Sequence, residues 1–375
     1  MPRLNVVRES KIIKTPRLMQ LEGIFDVPPS EKSAEKWTID FELPESWNVG
    51  LIVGPSGSGK STVARELFGD SLVSGFEWSK EKSILDDFPK EMSIKEISAL
   101  LSSVGFSSPP SWVRPFHVLS NGEQFRVNMA RTLAEKKELA VVDEFTSVVD
   151  RTVARIGSAA IAKTVRQHNQ KFIAVSCHYD IAEWLEPDWI YQPATNEFTG
   201  GRLLRRPKIN LEIKRVHSSA WQLFRKHHYL NTSLNTSAVC FCAFWEGVPV
   251  AFTAVLHFPH PIRKNTKREH RTVCLPDYQG VGIGNAMSAF IGALCKGLGF
   301  SYLSTTANPA MIYARAKSNQ WKMTKAPKTN SNGGRNRIAS LAKTYADLRY
   351  TAAFEYIGYA LPKDEAERIW NNDLQ

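Results

Sequence analysis

Three short, unbroken apolar runs mark the first half of the chain: Leu51-Ile52-Val53, Leu139-Ala140-Val141-Val142 and Phe172-Ile173-Ala174-Val175. Runs of this length, without polar alternation, predict strands covered on both faces, as in a parallel sheet. Between them the period changes. Val63 and Leu67, and then Phe125, Met129 and Leu133, recur at three- to four-residue spacing and predict helices. The second half is richer in expected strands, at Ile209–Ile213, Ala238–Trp245, Val248–Leu256, about 270–275, Tyr302-Leu303 and 349–357. Glu246-Gly247, between two of them, reads as a hairpin turn. Helices are predicted over 218–228, with Trp221, Phe224 and Arg225, over 308–318, and through Met287, Phe290, Ile291, Leu294 and Leu298. No apolar run reaches the roughly 18 residues of a membrane-spanning helix, so no membrane partner is expected.

A chain of 375 residues suits two domains rather than one. Residues 192–208 contain Pro193, Gly200-Gly201, Arg202, Arg205, Arg206 and Lys208, a boundary composition. The expected domains are therefore 1–200 and 208–375, both α/β. Five sparse cysteines and the lack of an apolar leader in the first thirty residues fit a reducing, cytoplasmic compartment. Charge separates the halves: residues 1–200 carry a net −4 and residues 201–375 a net +15. A basic half of that size attracts polyanions, with nucleic acid, a nucleotide cofactor and anionic lipid as the classes left open.

The first apolar run leads directly into Gly54-Pro55-Ser56-Gly57-Ser58-Gly59-Lys60-Ser61-Thr62 and then into the Val63/Leu67 helix. This is the G-x-x-x-x-G-K-S phosphate loop in its strand–loop–helix context. Glycines allow successive N–H groups to converge on phosphate oxygens, and the helix N-terminus adds partial positive charge. Lys60 is placed to reach the β- and γ-phosphates of ATP, and Ser61 to offer its hydroxyl to Mg²⁺. Asp143-Glu144 ends the second apolar run, where ligands collect in an open parallel sheet. Asp143 is expected in the Mg²⁺ shell and Glu144 beside the attacking water. His178, at the tip of the third run, is within reach of a γ-phosphate.

Leu119-Ser120-Asn121-Gly122-Glu123-Gln124 opens the Phe125/Met129/Leu133 helix. It resembles the signature motif of ATP-binding-cassette (ABC) ATPases, usually Leu-Ser-Gly-Gly-Gln. The resemblance covers roughly residues 20–195: Asp143-Glu144 is similar to Walker B, Ser147-Val148-Val149-Asp150 to the D-loop, and His178 to the switch histidine. It implies that Ser120 and the Gly122 amide contact ATP held at a second subunit's phosphate loop, hence an ATP-dependent homodimer. Asn121 replaces a glycine, and asparagine tolerates the left-handed backbone best among the other residues. No glutamine occurs between Lys60 and Ser120, so the family's Q-loop glutamine is missing and the helical subdomain is short. That departure points to a soluble cassette of the DNA-repair or chromosome-maintenance style. Phe25 is a candidate for stacking on adenine, with an ordinary strand residue as the equal alternative.

In the second half, Gln279-Gly280-Val281-Gly282-Ile283-Gly284 lies between a strand ending Leu275-Pro276-Asp277-Tyr278 and the Met287 helix. The dinucleotide spacing G-x-G-x-x-G is absent. The loop instead resembles motif A of GCN5-related acyltransferases (GNAT fold), and the element order agrees over about 208–360. The resemblance implies a mixed-sheet α/β domain in which the amides of 280–284 hold the pyrophosphate of acetyl-coenzyme A or another acyl-CoA at a helix N-terminus. Tyr313 is similar to the family's acid for the leaving thiolate, with a half-buried packing role as its alternative.

Acyl transfer to an amine also needs a base. Asp277, Glu246, His227-His228-Tyr229, His257 and His260 are open for that role, and Asn308 is open as a helix cap or a polar reader. Cys240 and Cys242, with Cys274 nearby, read as strand core before they read as a zinc site. Two basic loops are expected, Arg263–Arg271 and 322–343, the latter with Lys322, Lys325, Lys328, Arg335, Arg337 and Lys343, a Gly333-Gly334 hinge, and Trp321 and Tyr345 at its flanks. The His-His-Tyr, the glycine loop and the basic loops resemble phage Mom-like DNA-modification proteins. That likeness implies acyl transfer to an amine of a nucleic acid, DNA first, in a bacterial or phage-infected cytosol. The alternatives are an acyltransferase for a small-molecule or protein amine, and a non-catalytic ATP-dependent DNA clamp.

Overall fold

The computed structural model describes residues 4–25, 32–202, 204–228, 232–259, 264–329 and 350–371. In chain order the first elements are β1 (Leu4–Lys11), α1 (Pro16–Phe25), β2 (Lys32–Ile39), β3 (Val49–Val53), α2 (Lys60–Phe68), β4 (Leu72–Val73), α3 (Ile94–Ser103), α4 (Pro109–Trp112) and α5 (Asn121–Glu135). Then follow β5 (Leu139–Val142), α6 (Arg151–Gln167), β6 (Lys171–Ser176), α7 (Ala182–Leu185), β7 (Trp189–Gln192) and β8 (Glu197–Gly200). The last stretch holds β9 (Glu212–Val216), α8 (Trp221–Phe224), β10 (Val239–Trp245), β11 (Val248–His257), β12 (Thr266–Cys274) and α9 (Ile283–Gly297). It ends with β13 (Ser301–Thr306), α10 (Pro309–Lys317), β14 (Trp321–Thr329), β15 (Tyr350–Tyr356) and α11 (Lys363–Asn371). None of the described helices is long and apolar enough to cross a membrane.

These elements form two compact units, and the chain passes between them several times. The first unit takes residues 1–75, 136–147 and 165–206, and the second takes 76–135, 148–164 and 207–375. In the first unit a six-stranded sheet runs in the order β4-β5-β6-β3-β7-β8. All neighbours are parallel except the edge pair β7–β8. The three apolar runs are its central strands, and Leu51, Ile52, Ala140, Val141 and residues 172–175 are fully buried. Two-faced burial is why these strands carry no polar alternation. Side chains of this kind each contribute roughly 1.5–3 kcal/mol when removed from water. Phe41, Trp189 and Phe198 stack beside them and close one end of the core.

The second unit holds a seven-stranded mixed sheet in the order β14-β15-β13-β12-β11-β10-β9. Only β12 and β13 are parallel, and they pair over just three positions, Thr266↔Ser301 to Arg268↔Leu303. Beyond Arg268 the two strands no longer pair, which leaves a gap in the middle of the sheet. Ile283, Met287, Ile291 and Leu294 of α9 pack with Phe241, Val255, Tyr302 and Phe354 on one face. Trp221, Phe224, Cys240, Cys242 and Phe252 form the core of the other.

Several expected elements are shifted, and each shift has a local reason. The strand expected at Ile209–Ile213 begins only at Glu212, where pairing with Phe244 starts, while Ile209 and Leu211 pack on the core without pairing. The helix expected over 218–228 is three short turns, two of them 3-10. Its start is tightened by His217, whose ring nitrogen accepts the Ser219 N–H at 3.2 Å. The basic run 263–271 is not a loop where it is described, because β12 begins at Thr266. Likewise residues 321–329 form the edge strand β14 rather than a loop. Arg263, Gly333-Gly334, Arg335, Arg337, Lys343 and Tyr345, with Tyr229 and His260, lie outside the described residues. Asn121 opens α5 in ordinary helical backbone and does not adopt the expected left-handed conformation. Phe25 closes a helix, not a strand, and is exposed.

Candidate functional site

At the carboxyl ends of β3, β5 and β6 the first unit opens a cleft of about 280 Å³. Ser56, Gly57, Gly59, Lys60, Ser61 and Thr62 line one side of it, and Asp143, Glu144, Ser147 and Cys177 the other. Gly59 caps α2 with φ +84°, a left-handed geometry that turns the following N–H groups toward the cleft. Gly54 is buried at the start of the loop, where an added Cβ would lie 2.8 Å from Ser58 Oγ. Lys60 Nζ donates to the Pro55 carbonyl at 2.7 Å, so its ammonium is folded over the loop. The Glu144 backbone is also left-handed, at φ +52°, and its N–H donates to Asp143 Oδ1 at 2.8 Å. That turn separates the two carboxylates by direction although they adjoin in sequence.

The donor set fits ATP with Mg²⁺: a hydroxyl (Ser61), a carboxylate (Asp143), an ammonium (Lys60) and a helix N-terminus share one cleft. His178 is half-buried and does not appear among the cleft-lining side chains, where its neighbour Cys177 does. Its backbone N–H donates to Ser176 Oγ at 3.1 Å, and its Nδ1 is buried without a partner among the described residues.

In the second unit Ser120 and Glu123 form a reciprocal cap at the start of α5. The Ser120 N–H and Oγ each donate to Glu123 Oε2 at 3.0 Å, and the Glu123 N–H donates back at 3.4 Å. This is the Ser-x-x-Glu capping box, a role that Glu123 fills where the signature resemblance has glutamine. Ser120 is exposed, and Gly122 sits on the first turn of α5, tight against Val153. Asp150 Oδ1 accepts from the N–H groups of Thr152 and Val153 and starts α6 in the same way.

The glycine loop leaves β12 and enters α9. Gly282 caps α9 with φ +97°, and the position of its missing Cβ is open space. Val281, Gly282 and Gly284 are half-buried and Ile283 is buried in the core, so the helix N-terminus presents backbone rather than charge. Gln279 Nε2 donates to the Cys274 carbonyl at 2.9 Å, and Gly280 is left-handed at φ +94°. A helix N-terminus flanked by glycines is a cradle suited to a pyrophosphate. Tyr313 is 50% exposed, and its hydroxyl accepts from Lys317 one turn later. Asn308 caps α10, accepting the Met311 N–H at 3.2 Å, which is the cap reading of that residue.

The gap between β12 and β13 holds a polar cluster that periodicity did not reveal. Glu269 pairs with Arg315 at 3.0 Å, and their side chains are 8% and 1% exposed. Ser304 and Thr272 also donate to the carboxylate, and Arg315 donates to Ser288 Oγ at 2.7 Å while stacking on Trp321. Burial alone would raise the Glu269 carboxyl, but Arg315 and the hydroxyl donors hold it below its ordinary value. A carboxylate so saturated is a poor base and a good strut. The only sequence signal was a lone acid inside a basic run.

The histidines differ from one another. Burial first, then Arg271 and Arg268, pushes His270 down to about 4. Burial and Lys226 lower His227 against the pull of Asp277 and Glu123. His228 is buried edge-on to Trp221. His257 ends β11 exposed, as do Asp277 and Glu246 on their turns. Cys240 and Cys242 are core residues whose thiols burial raises to about 11 and about 12. No group of three metal-binding side chains occurs among the described residues.

Residues 207–315 match the model of the acetyltransferase (GNAT) family. Ribosome protection protein VmlR of Bacillus subtilis is 24% identical over 144 residues, covering 33% of this chain and 25% of that protein. Energy-dependent translational throttle protein EttA of Mycobacterium tuberculosis is 26% identical over 174 residues, 38% of this chain and 31% of that protein. Zinc import ATP-binding protein ZnuC 1 of Hahella chejuensis is 27% identical over 168 residues, 40% of this chain and 63% of that protein. The chain thus spans about a third or less of the first two relatives. Among solved structures, cbiO1 of Clostridium perfringens, part of an ABC transporter complex, overlays with a TM-score of 0.34 at 16% identity, covering 41% of this chain and 77% of that one. Motif order, sheet topology, the similarity to an ATP-binding protein and the family match fit an ABC-type ATPase segment joined to a GNAT acetyltransferase segment in one chain.

Proposed function

We propose that this protein is an ATP-hydrolysing cassette coupled to an acyl-CoA-dependent transferase whose acceptor is an amine of nucleic acid, DNA first. One observation carries the reading: a phosphate loop with Lys60, Ser61, Asp143 and Glu144 in one cleft shares a chain with a GNAT segment that lies in the basic half, residues 201–375, of net charge +15. In the cleft, Lys60 and the amides of Gly57 to Ser61 bind and orient the phosphates. Ser61 and Asp143 would hold Mg²⁺, which supplies charge neutralisation at the phosphates when bound. Glu144 orients the attacking water and takes its proton, and His178 approaches the γ-phosphate on closure. Ser120 and the Gly122 amide bind the ATP of a second copy, so turnover requires a homodimer.

In the transferase segment the amides of 280–284 hold the acyl-CoA pyrophosphate and so aim the thioester along the gap between β12 and β13. The acceptor nitrogen forms a bond to the acyl carbon as the C–S bond breaks. The amine proton passes to a base, and Tyr313 protonates the departing thiolate. The Lys317 ammonium donates to the Tyr313 hydroxyl and so holds it in one orientation. Lys322 and Lys325 on the edge strand β14 supply phosphate contacts. Lysines also keep edge strands from pairing with other chains, so their effect is to be read from salt dependence.

The deciding experiment is mass spectrometry of nucleosides from cells expressing the protein, compared with the Lys60→Ala form. An acylated nucleoside present only with the intact protein is expected. Two relatives are named for ribosome protection and translational throttling, so RNA nucleosides belong in the same measurement. No modified nucleoside, with acylated protein instead, would transfer the reading to a protein amine.

A further inference from the structure

Within the second unit, the turn that ends α3 is packed against the first half of the glycine loop. The Ser107 N–H donates to Gln279 Oε1 at 2.8 Å, while the other end of the same amide holds the Cys274 carbonyl. Gly105 and Gly280 meet backbone to backbone. A Cβ on Gly105 would lie 2.8 Å from the Gln279 carbonyl oxygen, and one on Gly280 would lie 2.9 Å from Gly105 Cα and 2.6 Å from Ala160 Cβ of α6. Both glycines are left-handed, at φ +89° and +94°. Beneath them lies Arg126 of α5, with its side chain 1% exposed. Its Nη1 donates to the Gly122 carbonyl at 3.4 Å and faces Asp277 at 4.0 Å, while Nε and Nη2 are buried without a partner among the described residues.

The elements that meet there are not arbitrary. α5 begins at the Ser120–Gly122 signature, and α6 begins at Asp150, so each helix starts at a segment that resembles an ATP-facing motif. The contact grips residues 277–280 and leaves Gly282 open. It therefore shapes the cradle without filling it. A guanidinium that ties the Gly122 carbonyl to Asp277 relays any shift of the signature turn to the loop two residues before Gln279. An interior this tightly packed shifts between discrete arrangements rather than deforming smoothly.

We infer that Arg126 and the 105–107 turn are positioning elements of the acyl-CoA site, through which ATP engagement at Ser120–Gly122 sets the affinity for acyl-CoA. The inference rests on both halves of the proposed function. Engagement of the signature turn orders α5, and an ordered 277–280 segment presents a preorganised cradle, so ATP tightens acyl-CoA binding. Linkage makes the effect mutual: acyl-CoA tightens ATP by the same factor.

The test is isothermal titration of acetyl-coenzyme A into the full chain carrying Glu144→Gln, with and without Mg·ATP. A coupled pair of sites gives a Kd lower by about fivefold or more with ATP. Arg126→Met, added to that background, is expected to bring the two Kd values together while ATP binding itself persists. Gly105→Ala pries the contact apart while keeping the Arg126 guanidinium, its added Cβ falling 2.8 Å from the Gln279 carbonyl oxygen and at ordinary contact distance, 3.5 Å, from Arg126 Nε; it is expected to do the same, which covers the event that the Arg126 variant does not fold. Binding that is indifferent to ATP overturns the coupling and leaves the acyltransferase reading standing. No acetyl-coenzyme A binding in any state overturns both.

Discussion

The phosphate loop at 54–62 and the glycine loop at 279–284 are the same backbone device used twice. Each links a strand to a helix, and each caps that helix with a left-handed glycine, Gly59 at φ +84° and Gly282 at φ +97°. Their surroundings differ in charge. Lys60, Asp143 and Glu144 line the first, whereas between Tyr278 and Ser288 the second has no ionisable side chain at all. A site that breaks a phosphoanhydride has to balance charge that develops as the bond breaks. A site that only grips a pyrophosphate while chemistry proceeds at a distant thioester needs amides and space. On the proposed function, loop geometry suits both loops to phosphate, and the titratable neighbours set which of them can make the phosphate react.

Removing the reactive neighbours gives the largest expected effect. Glu144→Gln should lower ATP turnover by about 10²–10⁴-fold, the range for a positioned base, and Lys60→Ala should abolish nucleotide binding with it. Phosphate release measures both, and an unchanged rate in either form would reduce the first loop to a holder. Next, Gly282→Trp fills the open space above the second loop. It should eliminate acetyl-coenzyme A binding by titration while ATP turnover stays within severalfold of the parent. Parallel loss of both activities would mean the two loops are not separable devices.

A third change addresses the gap that the second loop serves. Glu269→Gln leaves Arg315 charged, 1% exposed and without its carboxylate. Breaking a buried pair from one side costs about 3–5 kcal/mol, readable as a lower urea midpoint. A midpoint unchanged within error would show that the cluster is not the strut of that gap. The smallest effect is expected at Tyr313→Phe, a slowing of acyl transfer of about tenfold or more, toward the lower end of what loss of a proton donor produces, because its hydroxyl is half-exposed. An undiminished rate would return Tyr313 to a surface partner of Lys317.

Much of this was legible beforehand because the signals are local. A fully buried strand has to be apolar throughout, so β3, β5 and β6 announce themselves. A phosphate loop needs glycine and lysine at fixed spacing, and a hairpin needs left-handed residues, which Glu246 and Gly247 supply at φ +51° and +78°. Asn308 was legible in part, because a cap followed by Pro309 is a local pattern. What misled was composition read as exposure. The basic run through Arg268 and Arg271 looked like a loop, yet it is a central strand whose cations lie over Phe258 or donate to the Ser233 carbonyl.

Sequence alone therefore determined the two glycine-capped strand-to-helix loops, the apolar strands and the separation of charge, since each depends on neighbours within a few residues. Tertiary structure decided the rest. Glu269 and Arg315 are 46 positions apart, and Gln279 and Ser107 are 172 apart. No periodicity links such pairs. Burial removes the water that would otherwise satisfy them, so only the fold that desolvates them can reveal which partners they must find.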